Sequence, residues 1–89
     1  MKKRGKLEIV KDILETISKN SNSIKTTPLL RKSNISSNRF KEYYSDLLNK
    51  GFVKEFEKQG DRFVSLGDKG FKFLEKYKTI RDFIDEFEL

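Results

Sequence analysis

The chain has 89 residues, of which 38% are charged and 35% are hydrophobic, and its net charge is +6. A chain of this length accommodates one domain with one small core, and its eight Phe and three Tyr predict that this core is rich in aromatic side chains. Because Cys and His are both absent, disulfides, thiol nucleophiles, His bases and nearly every zinc site are excluded. The sequence also has no glycine-rich phosphate loop, no nucleophile–base pair and no apolar run long enough to span a bilayer. We therefore expect a soluble, intracellular protein that is not an enzyme and that has no cofactor, metal, membrane or small-molecule substrate.

The positive charge is concentrated in the first part of the chain. Residues 1–32 contain nine basic and three acidic residues, whereas residues 67–89 contain five basic and six acidic residues. An amino-terminal half that attracts polyanions and a tail that avoids them fit a nucleic-acid-binding protein with a separate, non-binding end. The alternative is that small domains are often modestly basic without binding nucleic acid.

The first predicted element is an amphipathic helix over Lys6–Lys19, where apolar residues recur at steps of three and four. Residues 20–23 end it, because Asn and Ser side chains compete with the helix for backbone hydrogen bonds. A short second helix follows, with Thr26 or Thr27 as the predicted cap. Pro28 falls in its first turn, where the missing N–H is not needed.

A third helix is predicted from a cap at Ser36 or Ser37 to about Lys50. Gly51 follows it at the position where a residue without Cβ turns most easily into the left-handed region. The apolar face of this helix is predicted to comprise Phe40, Tyr43, Tyr44, Leu47 and Leu48.

A β-hairpin is predicted behind the third helix, with strands at 52–57 and 62–66 and a turn at 58–61. Gly67 and Asp68 then open a final helix that reaches nearly to the C-terminus. Helix, short helix, helix and hairpin in this order are the winged helix-turn-helix pattern, in which the third helix enters a DNA groove. The predicted fold class is α+β and mainly helical, with a basic flexible arm at 1–5, a winged domain at 6–67 and a dimerisation helix at 68–89.

The final helix is longer than a winged domain needs. Phe71 and Leu74 are expected to pack on the domain. A further apolar stripe recurs at steps of four, three, four and three, as in the seam of a coiled coil, and consists of Phe73, Tyr77, Ile80, Ile84 and Phe87. The stripe predicts a homodimer, and the alternative is that it folds back on the first helix of the same chain.

Two stretches carry a resemblance to a known family. Residues 47–53 (LLNKGFV) and 63–74 (FVSLGDKGFKFL) resemble the "LL-x-K-G-hydrophobic" and "Y-x-LT-x-x-G-x-x-FL" segments of small archaeal winged-helix DNA-binding proteins. The best-described members are abundant ten-kilodalton chromatin-associated proteins, and the resemblance covers nearly the whole chain. It implies an antiparallel pairing of the C-terminal helix with a second copy. Two positions depart from the family pattern: Gly67 replaces a capping Thr, and Ser37 replaces an aromatic residue early in the third helix.

The candidate DNA contacts fall on three elements. Asn38, Lys41 and Ser45 lie on the polar face of the third helix, together with Glu42 and Asn49, and Asn, Lys and Ser can each bond base edges. Ser36 and Ser37, at the start of this helix, could hold a phosphate. The candidate phosphate contacts are Lys54, Lys58 and Arg62 on the wing, Lys25, Arg31 and Lys32 around the second helix, and Lys2, Lys3, Arg4 and Lys6 on the arm. The alternative is that these residues form an ordinary solvated surface.

Taken together, these features predict a dimeric DNA-binding protein that serves as a transcription regulator or an architectural chromatin component. Its location would be the cytoplasm, in association with the nucleoid. The competing hypothesis is a winged-helix protein-interaction module that does not bind DNA. RNA remains a third possible partner, because a basic surface does not distinguish the two polymers.

Overall fold

The structure, a computed structural model, describes residues 5–88 and contains four helices and one two-stranded antiparallel sheet in that range. Their order is α1 (Lys6–Lys19), α2 (Thr26–Ser33), α3 (Ser37–Asn49), β1 (Val53–Lys58), β2 (Asp61–Leu66) and α4 (Asp68–Glu86). The predicted winged helix-turn-helix order is therefore confirmed. Lys2, Lys3 and Arg4 of the predicted arm lie outside the described residues, whereas Lys6, which was also assigned to the arm, is the first residue of α1.

The core is aliphatic, so the prediction of an aromatic-rich core is wrong. The inward face of α1 supplies four of the most deeply buried side chains, and Phe40 is the one aromatic residue among the buried hydrophobic residues of the described range. The other aromatic residues lie at the edge of the core or on the surface, because the compact Ile, Leu and Val side chains of α1, α2 and the sheet already fill the centre. The buried aliphatic residues are Ile9, Val10, Ile13, Leu14, Ile17, Ile24, Leu29, Leu47, Val53, Val64 and Leu66.

The connection between α1 and α2 joins the sheet, which the sequence did not predict. Ile24 and Val64 form an antiparallel bridge, with N–O distances of 3.1 Å and 2.8 Å for the two backbone hydrogen bonds. The Asn22 side-chain oxygen also accepts a hydrogen bond from the Leu66 backbone N–H at 2.7 Å. These bonds hold Asn22 and Ile24 against β2 directly before the start of α2.

The prediction that Thr26 or Thr27 caps α2 is wrong, because the bridge at Ile24 moves the start of the helix. Lys25 is the N-cap residue, and Thr26 and Thr27 already lie in the first helical turn. Because the Ile24 bridge ends directly before Lys25, the helix begins one residue earlier than the Thr pattern suggests. No side chain caps α2.

Both ends of α3 lie where the sequence predicts them. The Ser36 hydroxyl accepts a hydrogen bond from the backbone N–H of Arg39 at 3.3 Å, which confirms Ser36 as the cap. At the other end Gly51 has φ = 81°. The Phe52 N–H bonds the Leu47 carbonyl at 2.9 Å and the Gly51 N–H bonds the carbonyl of residue 48 at 3.3 Å, which is the Schellman arrangement.

The wing is a tight hairpin whose first strand begins and ends one residue later than predicted and whose second strand begins one residue earlier. Its register runs from Val53 opposite Leu66 to Lys58 opposite Asp61. The two turn residues, 59 and 60, both have positive φ, at 53° and 82°, as a type I′ hairpin requires.

The start of α4 lies against the backbone that joins α3 to β1. The Gly67 N–H donates to the Phe52 carbonyl at 2.9 Å. A Cβ at Gly67 would overlap the Gly51 carbonyl oxygen, and a Cβ at Gly70 would overlap the Phe52 carbonyl oxygen. Close approach of two backbones therefore explains why glycine replaces the capping Thr at position 67.

The close approach of Gly67 and Gly70 to the backbone of residues 51 and 52 determines which face of α4 packs against the domain. Gly70 is buried, so residues three, four and seven positions later share its face: Phe73 and Leu74 pack against the core and Tyr77 is half-buried. Phe71 points away and is 49% exposed, so the prediction that it packs on the domain is wrong, while that for Leu74 is confirmed.

Beyond Tyr77, α4 projects from the domain. Ile80, Phe83 and Phe87 are 58%, 54% and 57% exposed. The projection contributes to an elongated shape of 48 × 28 × 21 Å. Within residues 5–88, no helix has both the length and the apolar character needed to cross a membrane.

Candidate nucleic-acid interface

The start of α2 and one flank of α3 enclose an open groove. Its floor is apolar and its rim carries hydroxyl groups and one ammonium group. The lining residues are Thr26, Thr27, Leu30, Ser37, Phe40, Lys41, Tyr44 and Ser45. Three of the predicted contacts, Ser37, Lys41 and Ser45, therefore lie together at this groove, and its lining in the described part of the chain includes no carboxylate that would repel a polyanion.

The polar face of α3 is exposed, as expected of a helix that enters a groove. Asn38, Lys41 and Ser45 are all exposed, and so is Glu42. Ser36 is exposed too, although its hydroxyl oxygen already accepts the capping hydrogen bond. The face therefore presents an amide, an ammonium group and a hydroxyl group along less than three helical turns.

The opposite flank of α3 carries a cation that was not among the predicted DNA contacts. The Arg39 guanidinium lies 5.9 Å from the centre of the Tyr43 ring, and the side chain is exposed. Farther along this flank, Lys50 pairs with Asp46 at 3.1 Å. The signal was available in the sequence, since Arg39 directly follows Asn38 in the first turn of α3.

A hydrogen bond joins α3 to the wing. The Tyr44 hydroxyl donates to Glu55 at an O–O distance of 2.6 Å, and Arg62 lies 3.8 Å from the other carboxylate oxygen of Glu55. Partial burial and the hydrogen bond to Glu55 raise the pKa of the Tyr44 phenol, so this residue stays a neutral donor at physiological pH. A pattern of helix and strand periodicity cannot reveal a contact that depends on how the wing folds back on α3.

The wing cations lie on two different faces. Strand alternation and the register place Arg62 on the face shared with Glu55 and Glu57, and Glu55 contacts α3. Lys54 and Lys58 alternate to the opposite face, where Phe56 and its cross-strand partner stack at 5.7 Å between ring centres. Arg62 is therefore the predicted wing cation that the structure brings next to α3.

The second helix holds the excess positive charge. Within residues 5–88, each of α1, α3, the hairpin and α4 contains equal numbers of acidic and basic residues. Arg31 and Lys32 are exposed in the last turn of α2, which contains no acidic residue, and Lys25 directly precedes its first turn. Lys25 pairs with Asp61 at the wing turn at 3.3 Å, but both side chains are largely exposed, so the pair is weak. The helix that carries this excess charge also supplies Thr26, Thr27 and Leu30 to the groove at α3.

A comparison of the sequence with known protein families agrees with the fold. A model of the winged helix-turn-helix family matches residues 3–85. The chain belongs to the winged helix-turn-helix family. No curated protein sequence matches the chain. Within residues 5–88, this winged helix-turn-helix protein has no cluster of three or more acidic side chains that could bind a metal ion.

Three solved structures are similar over nearly the whole chain. Sso10a-2, a DNA-binding protein from Sulfolobus solfataricus, has a TM-score of 0.70 and 19% identity, with 96% of this chain and 90% of that chain covered. SSV1 F-93 has a TM-score of 0.71 and 25% identity, with 99% and 95% covered. F93 from STIV, a winged-helix DNA-binding protein, has a TM-score of 0.72 and 18% identity, with 88% and 90% covered. The resemblance to small archaeal winged-helix DNA-binding proteins is confirmed, and so is the predicted winged helix-turn-helix fold with a long C-terminal helix.

Proposed function

We propose that this winged helix-turn-helix protein binds double-stranded DNA as a homodimer, as a transcription regulator or an architectural chromatin component, and has no enzymatic activity. The observation that carries the proposal is the position of the excess charge. The cations are on or next to α2, which lines a common groove with the exposed, polar α3 within a winged-helix fold. Two of the similar structures belong to DNA-binding proteins, one from Sulfolobus solfataricus and one from STIV, which supports the same partner.

The third helix would enter the major groove. Asn38 can bond adenine in a bidentate manner, Lys41 can reach guanine or a phosphate, and Ser45 can bond either kind of base edge. Ser37 and the free N–H groups at the start of α3 would face a phosphate together with Ser36. The apolar floor of the groove between α2 and α3 suits the methyl group of thymine, the apolar group on the major-groove edge of an A·T pair.

The cations outside α3 would fix the protein on the phosphate backbone. Lys25, Arg31 and Lys32 lie on or next to α2, and Arg62 lies on the face of the wing nearest α3. Lys54 and Lys58, on the other wing face, would reach a second backbone segment or the minor groove. These contacts carry affinity and no sequence information.

Dimerisation would use the projecting end of α4. Ile80, Phe83 and Phe87 are more than half exposed, and Ile84 lies between them on the same side. Phe73 and Tyr77, at the start of the predicted seam, are half-buried against their own chain, with ring centres 6.1 Å apart. An antiparallel pair of α4 helices would therefore bury mainly the last two turns of each copy.

The test is the binding of a fluorescent duplex of mixed sequence, measured by anisotropy across a salt series. We expect binding that weakens steeply with salt, with a slope of about 0.9 per phosphate neutralised. Asn38→Ala with Lys41→Ala should abolish preference among DNA sequences and leave the fold intact. The matched control is Lys76→Ala on α4, which removes one exposed cation, as Lys41→Ala does, and leaves α3 unchanged. Absence of DNA binding at low salt would refute the proposal. Tighter binding to RNA of equal length than to the DNA duplex would indicate that RNA is the partner.

The projecting apolar end of α4 also fits the competing hypothesis of an interaction module. On that hypothesis the purified protein would be a monomer that does not bind DNA. Sedimentation equilibrium therefore complements the binding experiment. A dimer that binds DNA supports the proposal, whereas a monomer without DNA binding supports the alternative.

A further inference from the structure

A chain of three side chains links α3 to both strands of the wing. Tyr44 on α3 donates its hydroxyl to Glu55 on β1, and Glu55 in turn lies 3.8 Å from Arg62 on β2. The Tyr44 ring stacks on the buried Phe40 at 5.6 Å between ring centres, so the donor is held by the core. The position of Glu55 is therefore set by the domain and not only by the hairpin.

The two ends of this chain differ in freedom. The Glu55 side chain is 27% exposed, whereas that of Arg62 is 65% exposed. One carboxylate oxygen of Glu55 accepts from Tyr44, which leaves the other oxygen facing the guanidinium. Glu55 thus offers Arg62 a fixed anionic oxygen, the same chemical partner that a phosphate of DNA would offer.

We propose that Glu55, anchored by Tyr44, competes with DNA phosphate for Arg62 and so restrains non-specific binding by the wing. The inference rests on the proposed function, since it requires that the wing lies on DNA. In the free protein Arg62 lies against Glu55, and on DNA it must leave the carboxylate before it contacts the backbone. A duplex that fits α3 well compensates for this exchange, whereas a duplex held by backbone contacts alone does not. Glu55 is a positioning residue, because it acts on DNA through Arg62.

The wing itself provides a matched control. Glu57 lies two residues further along β1 on the same face, directly opposite Arg62 in the register. It is exposed, and in the part of the chain that the structure describes it makes no side-chain hydrogen bond like that between Glu55 and Tyr44. Glu57→Gln therefore changes the net charge of the wing as Glu55→Gln does, without releasing a carboxylate that α3 holds in place.

The experiment compares the affinity of Glu55→Gln and Glu57→Gln for a mixed-sequence duplex in a salt series. Gln keeps an oxygen that can accept from Tyr44, so the wing stays in place, and circular dichroism verifies the fold. Exposed ion pairs are weak, so we expect Glu55→Gln to bind about two- to fivefold more tightly than Glu57→Gln. Its salt slope should also be steeper by up to about one phosphate contact. With Arg62→Gln as the background, the difference between the two variants should vanish.

The outcomes separate this inference from the proposed function. If the wild-type chain does not bind DNA, both fail. If it binds and the two Gln variants gain equally, net charge explains the gain and the role of Glu55 is refuted. A Glu55 effect that persists without Arg62 would likewise refute it, because the competition requires the guanidinium. Only a larger, Arg62-dependent gain for Glu55→Gln supports the inference.

Discussion

Replacement of Gly70 by Ala tests how α4 is attached to the winged domain. In an exposed helix interior this change stabilises a protein by about 1 kcal/mol, because Ala is the better helix former. The structure predicts the opposite sign. A Cβ at Gly70 would overlap the carbonyl oxygen of Phe52 and lie 3.2 Å from a methyl group of Leu66. The carbonyl cannot rotate away freely, since it also accepts a hydrogen bond from Gly67 at 2.9 Å.

The expected magnitude follows from three terms. Overpacking of a tight contact costs about 1–3 kcal/mol. A shift of α4 would also weaken the hydrogen bond between Gly67 and Phe52, which contributes about 1 kcal/mol. The gain in helix propensity offsets about 1 kcal/mol of this loss. We expect a net loss of about 2 kcal/mol in the free energy of unfolding, or a Tm lower by about 8–16 °C for a domain of this size.

The assay is thermal unfolding followed by circular dichroism, with all variants at one protein concentration because a dimer would make Tm depend on concentration. Gly5→Ala is the control, since a Cβ there meets no atom within 4 Å. Gly5 is the N-cap residue of α1, so the control should lose only about 0.5 kcal/mol. A Gly70→Ala variant as stable as the wild type, or more stable, would show that α4 does not approach the backbone of Phe52.

Three further predictions address the cap, the seam and the phenol. Ser36→Ala should lower the free energy of unfolding, measured in urea, by about 1 kcal/mol, because it removes the hydroxyl oxygen that accepts a hydrogen bond from the backbone at the start of α3. Ser37→Ala should change this free energy little. Equal losses in the two variants would show that Ser36 is not the cap. Ile80→Lys with Phe87→Lys should turn the proposed dimer into a helical monomer in sedimentation equilibrium, and a persisting dimer would exclude this stripe as the interface. Because the folded-state pKa of Tyr44 is raised, the stability it contributes is complete below about pH 10 and is lost as the pH rises through the folded-state value. Alkaline titration at 295 nm should show a late phenolate component that Tyr44→Phe lacks, and its presence in both proteins would contradict the assignment.

The elements of this fold that the sequence predicts well depend on local interactions. The periodicity of α1, the Ser36 cap and the Gly51 stop each involve residues within one or two turns of each other, so their signals survive without tertiary information. The turn of the wing is equally local, since residues 59 and 60 determine it. The exposed polar face of α3 follows from the same helical period.

The features that the sequence did not predict depend on distant contacts. The bond from Leu66 to Asn22 spans 44 residues, and the Ile24 bridge moves the start of α2 away from the Thr pattern. The inward face of α4 was misjudged at Phe71, because the close approach of Gly70 rotates the helix. The bond between Tyr44 and the wing is of the same kind. The hydrophobic periodicity of one helix or strand does not show where a distant segment of the chain will pack against it.

One residue connects the surface proposed to contact DNA with the helix proposed to form the dimer. Phe52 directly follows the Schellman end of α3, and its N–H bonds the Leu47 carbonyl within that helix. Its carbonyl meets Gly67 and Gly70, and its ring lies edge-on to Phe73 at 6.2 Å. The direction of α4 is therefore fixed relative to α3 by rigid backbone contacts and not by a flexible linker. In the proposed dimer, the distance between the two recognition helices would follow from this joint and from where the two α4 helices cross, so the protein would present its two α3 helices at one fixed spacing on DNA.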